Sequence, residues 1–224
     1  MSLITFQREI EYTAKKKVKL KVNDNHSTML SVRWGRDCTF VSMHRIFLDA
    51  PQNIMDALAC HISTENSDLA PTVKAFIEER VRSLDYSQKI TSSKLSTQGK
   101  VYNLKEMYDS INIEYFNGKL KLAITWFGRP NPGRVRSKVT FGLYQEALKL
   151  VKIHRIMDRK FFPEYFVRFV IYHEMLHHIC PGYVTEKGHT RVHTKEFRQK
   201  EKAFREYDKA MAWMQKYYEK FFIL

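Results

Sequence analysis

The chain is predicted to be an α+β protein in which a small sheet packs on one apolar helix, and three observations predict it. Residues 17–47 string together VKLKVN, TMLSVRWG and TFVSMHRIFL, short β-branched and aromatic runs separated by Asn, Asp and Gly, as strands joined by turns would be. Residues 104–127 pass from a helical face of Leu104, Met107, Tyr108, Ile111 and Tyr115, through an Asn117-Gly118 turn, into the strand-like KLAITWF. After Pro163, EYFVRFVIYHEMLHHI spaces Phe166, Val167, Val170, Ile171 and Leu176 for one packed helix.

Taken in chain order, the three early runs predict a small antiparallel sheet. Asp49 stands where an N-cap would, with Pro51 near the first turn, and IMDALACHI carries the apolar face of the helix that follows. LAPTVKAFIEERVRSL predicts a second helix. SQKITSSKLSTQGK is polar and rich in Ser, Thr and Lys, so the boundary is placed in it, dividing an accessory region over 1–97 from a second domain over 98–224. RVRSKVTFGLYQEALKLVKIHRIM predicts one or two strands, with EALKL able to form a helical turn instead. Pro181-Gly182 ends the HEMLH helix, and one last helix runs from about Thr194 through Phe197, Phe204, Tyr207, Met211 and Met214. Trp126 and Trp213 are expected in the core, since their neighbours are apolar at strand or helix spacing.

There is also an internal echo. MHRIFLDAPQNIMDALACHI and IHRIMDRKFFPEYFVRFVIYHEM both run strand, His-Arg-Ile, loop, proline and helix. A degenerate duplication and a chance likeness would both produce it. His61 falls near the place of His173 but lacks the glutamate that follows, so the first half is assigned no catalysis.

With 224 residues and 44% hydrophobic content, the chain can bury a core without cross-links. Cys38, Cys60 and Cys180 are odd in number, far apart and without a CxxC pair, which argues against a disulfide framework or zinc ribbon and for a reducing, cytoplasmic setting. MSLITFQREIEYTAKKK has no apolar signal region, and FFPEYFVRFVIY is interrupted by Glu164 and Arg168, so no secretory signal and no membrane span are expected. The formal charge of +14 either draws anionic partners such as DNA or merely keeps the protein soluble.

The chemistry is concentrated in HEMLH. On a helix, residues four apart lie one turn above each other, so the His173 and His177 imidazoles can grip one metal ion. Zinc in a hydrolytic site takes three protein ligands and leaves the fourth position to water, with Glu174 beside it as general base. A glutamate on an otherwise apolar helix is costly to bury without such a task. A third ligand must come from elsewhere, and the loop after Gly182 offers candidates. His193, which opens HTKEF at the mouth of the last helix, is the favoured one and His189 its competitor, with Glu196 and then Glu201 as carboxylate alternatives. His178 points to another face and is read as a polar neighbour. His44 and His154 are read as structural, and Tyr183 is the candidate to stabilise an oxyanion.

YDSINIEYFNGKL, the ITW strand, YHEMLHH and HTKEF, in that order over about residues 104–205, resemble the SprT-like zinc metallopeptidases, a family that includes the Spartan proteases of DNA-protein crosslinks. The resemblance implies a zincin-like fold, with His173, His177 and His193 as zinc ligands, Glu174 as catalytic base, and proteins, those associated with DNA among them, as substrates. HRIFLDAP and KAFIEE resemble segments preceding that domain in bacterial members, which implies an accessory region without assigned activity. The chain departs from the family in carrying Thr194 where a glycine usually follows the third histidine, and in having no cysteine pairs for a C-terminal ribbon.

Arg129, Arg134, Arg136 and Lys138 cluster after the ITW strand, and Lys187, Arg191, Lys195, Arg198, Lys200 and Lys202 surround the third ligand. They would either guide DNA or an acidic substrate to the cleft or, with Glu196 and Glu201 interspersed, form a solvated face. An edge strand of the sheet could hold an extended peptide. The alternative from another class is a basic nucleic-acid-binding or scaffolding protein in which zinc is only a structural staple. A three-histidine metal-dependent RNase ranks last.

Overall fold

Two structural units divide the chain, Met1–Leu84 with Tyr183–Arg191, and Asp85–Gly182 with Val192–Leu224. The computed structural model describes residues 3–65, 68–91, 95–130 and 140–222, so Arg134, Arg136 and Lys138 lie outside the described residues.

The first unit opens with a helix that the sequence reading left unassigned, α1 (Leu3–Ala14), which buries Phe6, Ile10 and Ala14 at four-residue spacing. β1 (Val18–Asn23), β2 (Leu30–Arg33) and β3 (Thr39–His44) form a sheet of order β1-β3-β2. It is mixed, where an antiparallel sheet was expected. β2 returns along β3, but β1 runs parallel to β3 from Val18↔Thr39 to Asn23↔His44, because two chain reversals separate them. Alternation of side chains fixes which face is buried and carries no strand direction.

His44 ends β3 and accepts the Ile46 N–H at Nδ1, starting a 3-10 turn over Arg45–Asp49. Asp49 therefore lies inside that turn, and Pro51 is the N-cap of α2 (Gln52–Thr64). α3 (Pro71–Ser83) starts on a proline, whose missing N–H costs a first turn nothing. Met43, Phe47, Leu58, Ile62 and Val73 are fully buried at the centre of this unit.

The second unit repeats this order of elements. α4 (Leu104–Phe116) is capped by Asn103, whose side chain accepts the Lys105 N–H, and it ends on Asn117 and Gly118 at positive φ. Asn112 then bonds both backbone groups of Leu120, and the Tyr108 hydroxyl donates to Leu120 O and accepts the Leu122 N–H. These bonds aim the chain into β4 (Ala123–Phe127), followed by β5 (Gly142–Gln145) and β6 (Leu150–His154). Their order is β4-β6-β5, with β4 parallel and β5 antiparallel to β6. EALKL takes the helical-turn alternative, since a 3-10 turn over Glu146–Leu148 joins the two strands. α5 (Glu164–Ile179) begins after Pro163.

The units part at Leu84 and Asp85, ahead of the boundary expected near residue 98. The polar stretch before 98 is tied to the second sheet: Tyr86 N–H donates to Ala147 O, Trp126 N–H to Ser96 O, Ser96 N–H to the Thr125 hydroxyl and Trp126 Nε1–H to Thr97 O. Ser96 and Thr97 thereby occupy part of the edge of β4, with Ser96 O accepting the Trp126 N–H. Buried Asp158 collects the N–H groups of Lys100, Val101 and Tyr102 and pins the approach to α4.

Beyond α5, β7 (Tyr183–Val184) and β8 (Thr190–Arg191) pair as a short hairpin. Two helices follow where one was expected, α6 (Lys195–Lys202) and α7 (Tyr207–Phe222). No Gly or Pro breaks them. The interruption buries Phe204 against Tyr115, Phe169 and Tyr172, and Arg205 N–H donates to the Tyr115 hydroxyl, so tertiary packing overrides local propensity. Trp126 is buried and Trp213 packs on Phe166, both in the core as expected.

The echo in the sequence extends to single hydrogen bonds. His44 N–H donates to Met29 O and His154 N–H to Phe141 O, both at 2.7 Å, and each imidazole Nδ1 caps the turn that follows. Both units run helix, three strands, 3-10 turn, helix, with the same strand order and directions. Counted from the N-cap prolines Pro51 and Pro163, His61 corresponds to His173, Ile62 to Glu174 and Glu65 to His177. The likeness seen in the sequence is thus shared by strand order, strand direction and register. Among the described residues, no helix is long and apolar enough to cross a membrane.

Candidate metal centre and its carboxylate

α5 presents His173 and His177 from consecutive turns, and the chain brings His193 to them just before α6. Thr194 is the N-cap of α6 and accepts the Phe197 N–H through its hydroxyl, which fixes the backbone directly after His193. Nε2 of His173 stands 3.3 Å from that of His177 and 3.2 Å from that of His193. These three residues form a cluster able to hold a metal ion, with ligand atoms all within 4.8 Å of one another.

Phe197 is the floor of this cluster. Fully buried, its ring centroid lies 5.0 Å from His173, 4.7 Å from His177 and 4.8 Å from His193. One turn along the same face of α6, Glu201 Oε1 lies 2.6 Å from His173 Nδ1. That carboxylate accepts the Nδ1–H and leaves Nε2 of His173 as the lone-pair nitrogen facing the cluster. Glu201, weighed above as a ligand, instead pairs with the far nitrogen of His173 and is not a member of the cluster. Burial lowers the His177 pKa to about 3, with the neighbouring His173 and His193 adding to the effect, and burial also lowers that of His193. Both imidazoles are therefore neutral near pH 7, the form that ligates metal.

Glu174 is only 6% exposed. Burial pushes its carboxyl up to about 7, against the opposing influence of His173 and of a hydrogen bond donated by the Tyr144 backbone N–H. A carboxyl poised there can hold or release a proton near neutral pH. The donor is on β5, the edge strand, so strand and helix together position the group. Burial raises the Tyr144 phenol, with Glu146 adding to the effect, so its hydroxyl stays protonated, and it is hydrogen-bonded with His178 Nδ1 at 2.8 Å. His178 is thereby a polar neighbour, as its helical position predicts.

His189 and Glu196 are not members of the cluster. The His189 backbone N–H donates to the Thr185 hydroxyl, and exposed Glu196 pairs with Lys200. Tyr183 is exposed in β7. His44 and His154 cap turns, the structural role foreseen for them. The sequence reading gave no site role to Phe197, Gly142 or Tyr144. Phe197 and Glu201 were within reach of it, because they follow His193 at four-residue spacing on one helical face. Comparison with protein-family models, with curated proteins and with solved structures finds no match.

Proposed function

We propose that the chain is a zinc-dependent metalloendopeptidase of the SprT-like kind, with His173, His177 and His193 as metal ligands and Glu174 as general base. One observation carries this reading: two ligand separations of 3.2 and 3.3 Å beside a buried carboxyl. Tetrahedral zinc with bonds of about 2.05 Å sets its nitrogen ligands about 3.3 Å apart, and the His173–His177 and His173–His193 pairs match that spacing. Zinc, when bound, supplies Lewis acidity toward a peptide carbonyl and a water molecule. The chain's own groups do the rest. Glu174 takes the proton of the attacking water and delivers it to the leaving amine, while the Tyr144 N–H holds its carboxylate in place. Glu201 fixes the tautomer of His173.

β5 is the edge strand beside Glu174, and an extended substrate would pair along it. Exposed Lys195 and Arg198 follow His193 on α6, which favours acidic or DNA-associated proteins as substrates. The three free cysteines suit a reducing cytoplasm.

The test is metal analysis joined to proteolysis. Purified protein should carry one zinc per chain, retained in His189→Ala and lost in His193→Ala. It should cleave a DNA-binding protein, and Glu174→Gln should keep the zinc and lose the cleavage. Zinc present with Glu174→Gln indistinguishable from wild type would favour the structural-staple alternative. Absence of zinc would overturn the proposal.

A further inference from the structure

The outer face of the first unit's sheet has a chemistry of its own, independent of the peptidase reading. Val18, Val41 and Met43 point into the core, so strand alternation turns Lys19, Lys21, Ser31, Arg33, Phe40 and Ser42 to the opposite face. These side chains border a shallow groove of about 370 Å³ in which no Asp or Glu takes part. Phe40, on the central strand, is 40% exposed. The Arg33 guanidinium lies 4.7 Å from its ring centroid and the Lys19 ammonium 5.5 Å. Residues 15–36, which carry both outer strands of the sheet, hold seven Lys and Arg against the single acid Asp24.

In the second unit the corresponding face is covered in part, with Leu143 still exposed on it. Matched through His44 and His154, Lys21 corresponds to Thr125 and Phe40 to Leu150, and both counterparts are buried. Thr125 is bonded there by Ser96. In the first unit the same positions carry an exposed cation and an exposed aromatic ring.

We propose that this face binds single-stranded nucleic acid, with phosphates on Lys19, Lys21 and Arg33 and a base stacked on Phe40. A sheet face that combines cations with an exposed ring suits a strand whose bases are unpaired, because a duplex hides the base faces that would stack. An acidic peptide would satisfy the cations but offer the ring no planar partner. Phosphates and base faces are common to RNA and DNA, so both sugars are accepted. Three strands span about 10 Å, which limits the contact to one or two nucleotides on the sheet itself.

The test uses the full chain and fluorescein-labelled oligo-dT and oligo-U of about twelve nucleotides, followed by anisotropy between about 50 and 200 mM salt. Phe40→Ala should weaken binding of at least one of them about fivefold or more, the loss expected for one base–aromatic stack, and Phe40→Trp should restore it. Lys21→Glu with Arg33→Glu, both at exposed positions, should weaken binding further and flatten the salt slope by about 0.7 for each cation removed. Lys195→Glu with Arg198→Glu on α6 should leave the Phe40 dependence intact. Wild-type affinity in both the Phe40→Ala and Lys21→Glu variants would overturn the proposal. So would polyglutamate of matched charge displacing the oligonucleotide as well as unlabelled oligonucleotide does, since that is charge attraction without stacking.

Discussion

Gly142 and Glu174 share one space: a Cβ on residue 142 would stand 2.6 Å from Glu174 Cγ and 2.8 Å from its Cδ. The edge strand approaches the helix closely only because residue 142 has no side chain, and two residues on, the Tyr144 N–H reaches the carboxylate. Gly142→Ala should therefore push the carboxylate out of place while the three histidines stay where they are. Zinc content should be unchanged and cleavage should fall about 100-fold, the scale on which an ångström of misplacement acts. Wild-type turnover in this variant would show that the strand does not position Glu174.

Glu201 should matter to the metal without touching it. Removing the acceptor from His173 Nδ1 frees the ring to turn and lets the proton move to the nitrogen that faces the cluster. Glu201→Ala should lower zinc affinity by about 10- to 100-fold in competition with a chromophoric chelator. Glu196→Ala, on the exposed side of the same helix, should change nothing. Equal affinities for the two variants would remove Glu201 from the site.

Phe197 supports all three imidazoles at once. Phe197→Ala should cost about 3–5 kcal/mol of stability, as deletions of buried aromatic rings do, and release zinc at the same time. Phe197→Leu keeps most of the volume, so it should cost less than half as much and retain the metal. Calorimetry with and without chelator measures both. Zinc retained in a stable Phe197→Ala variant would mean that α6 alone holds His193.

How much of this was legible beforehand depended on how local the signal was. Proline, apolar spacing and HEMLH all sit inside α5, and Asn103, Asn117 and Gly118 mark both ends of α4, so these elements and the histidine pair could be read directly. α1 has the same kind of signal in Phe6, Ile10 and Ala14, four apart on one face, but no proline marks where it starts. Strand direction was out of reach, since β1 pairs in parallel with β3 across an intervening strand. The break between α6 and α7 depends on Phe204 reaching Tyr115, 89 residues earlier in the chain, and no window of local sequence contains both. Gly142 stands 32 residues before the glutamate it accommodates, and its role is equally invisible to spacing rules.

Chelator-treated protein should reveal the cost of burying Glu174. Its carboxyl is raised from 4.5 to about 7 on folding, so the folded state binds the proton more tightly. The stability that this contributes is complete below pH 4.5 and is lost as pH rises through about 7, a change of about 3 kcal/mol. His177 acts in the opposite sense: lowered from 6.5 to about 3, it contributes stability above pH 6.5 that is lost as pH falls through about 3. Wild type alone would mix the two. Glu174→Gln subtracts one of them, so the metal-free variant should match wild type near pH 4 and exceed it by about 3 kcal/mol near pH 8 in urea unfolding. A constant difference across that range would show that Glu174 titrates normally.

The first unit offers the converse experiment, because its helix carries Ile62 where α5 carries Glu174 and its strand carries Leu30 where β5 carries Gly142. Ile62 is fully buried, and Leu30 packs against the same core. An Ile62→Glu substitution would place a carboxyl in that core with a side chain standing in the space Gly142 leaves open in the other unit. Burying an unpartnered polar group and losing the aliphatic packing should together cost more than about 3 kcal/mol, read as a lowered urea midpoint. Leu30→Gly in the same background should recover part of the loss if it opens that space, although it weakens the strand by about 1 kcal/mol. Neither variant should bind a second zinc, since Glu65 ends its helix at positive φ where His177 continues one in α5. A single Ile62→Glu variant with an unchanged midpoint would mean that the two helices correspond in topology and not in packing.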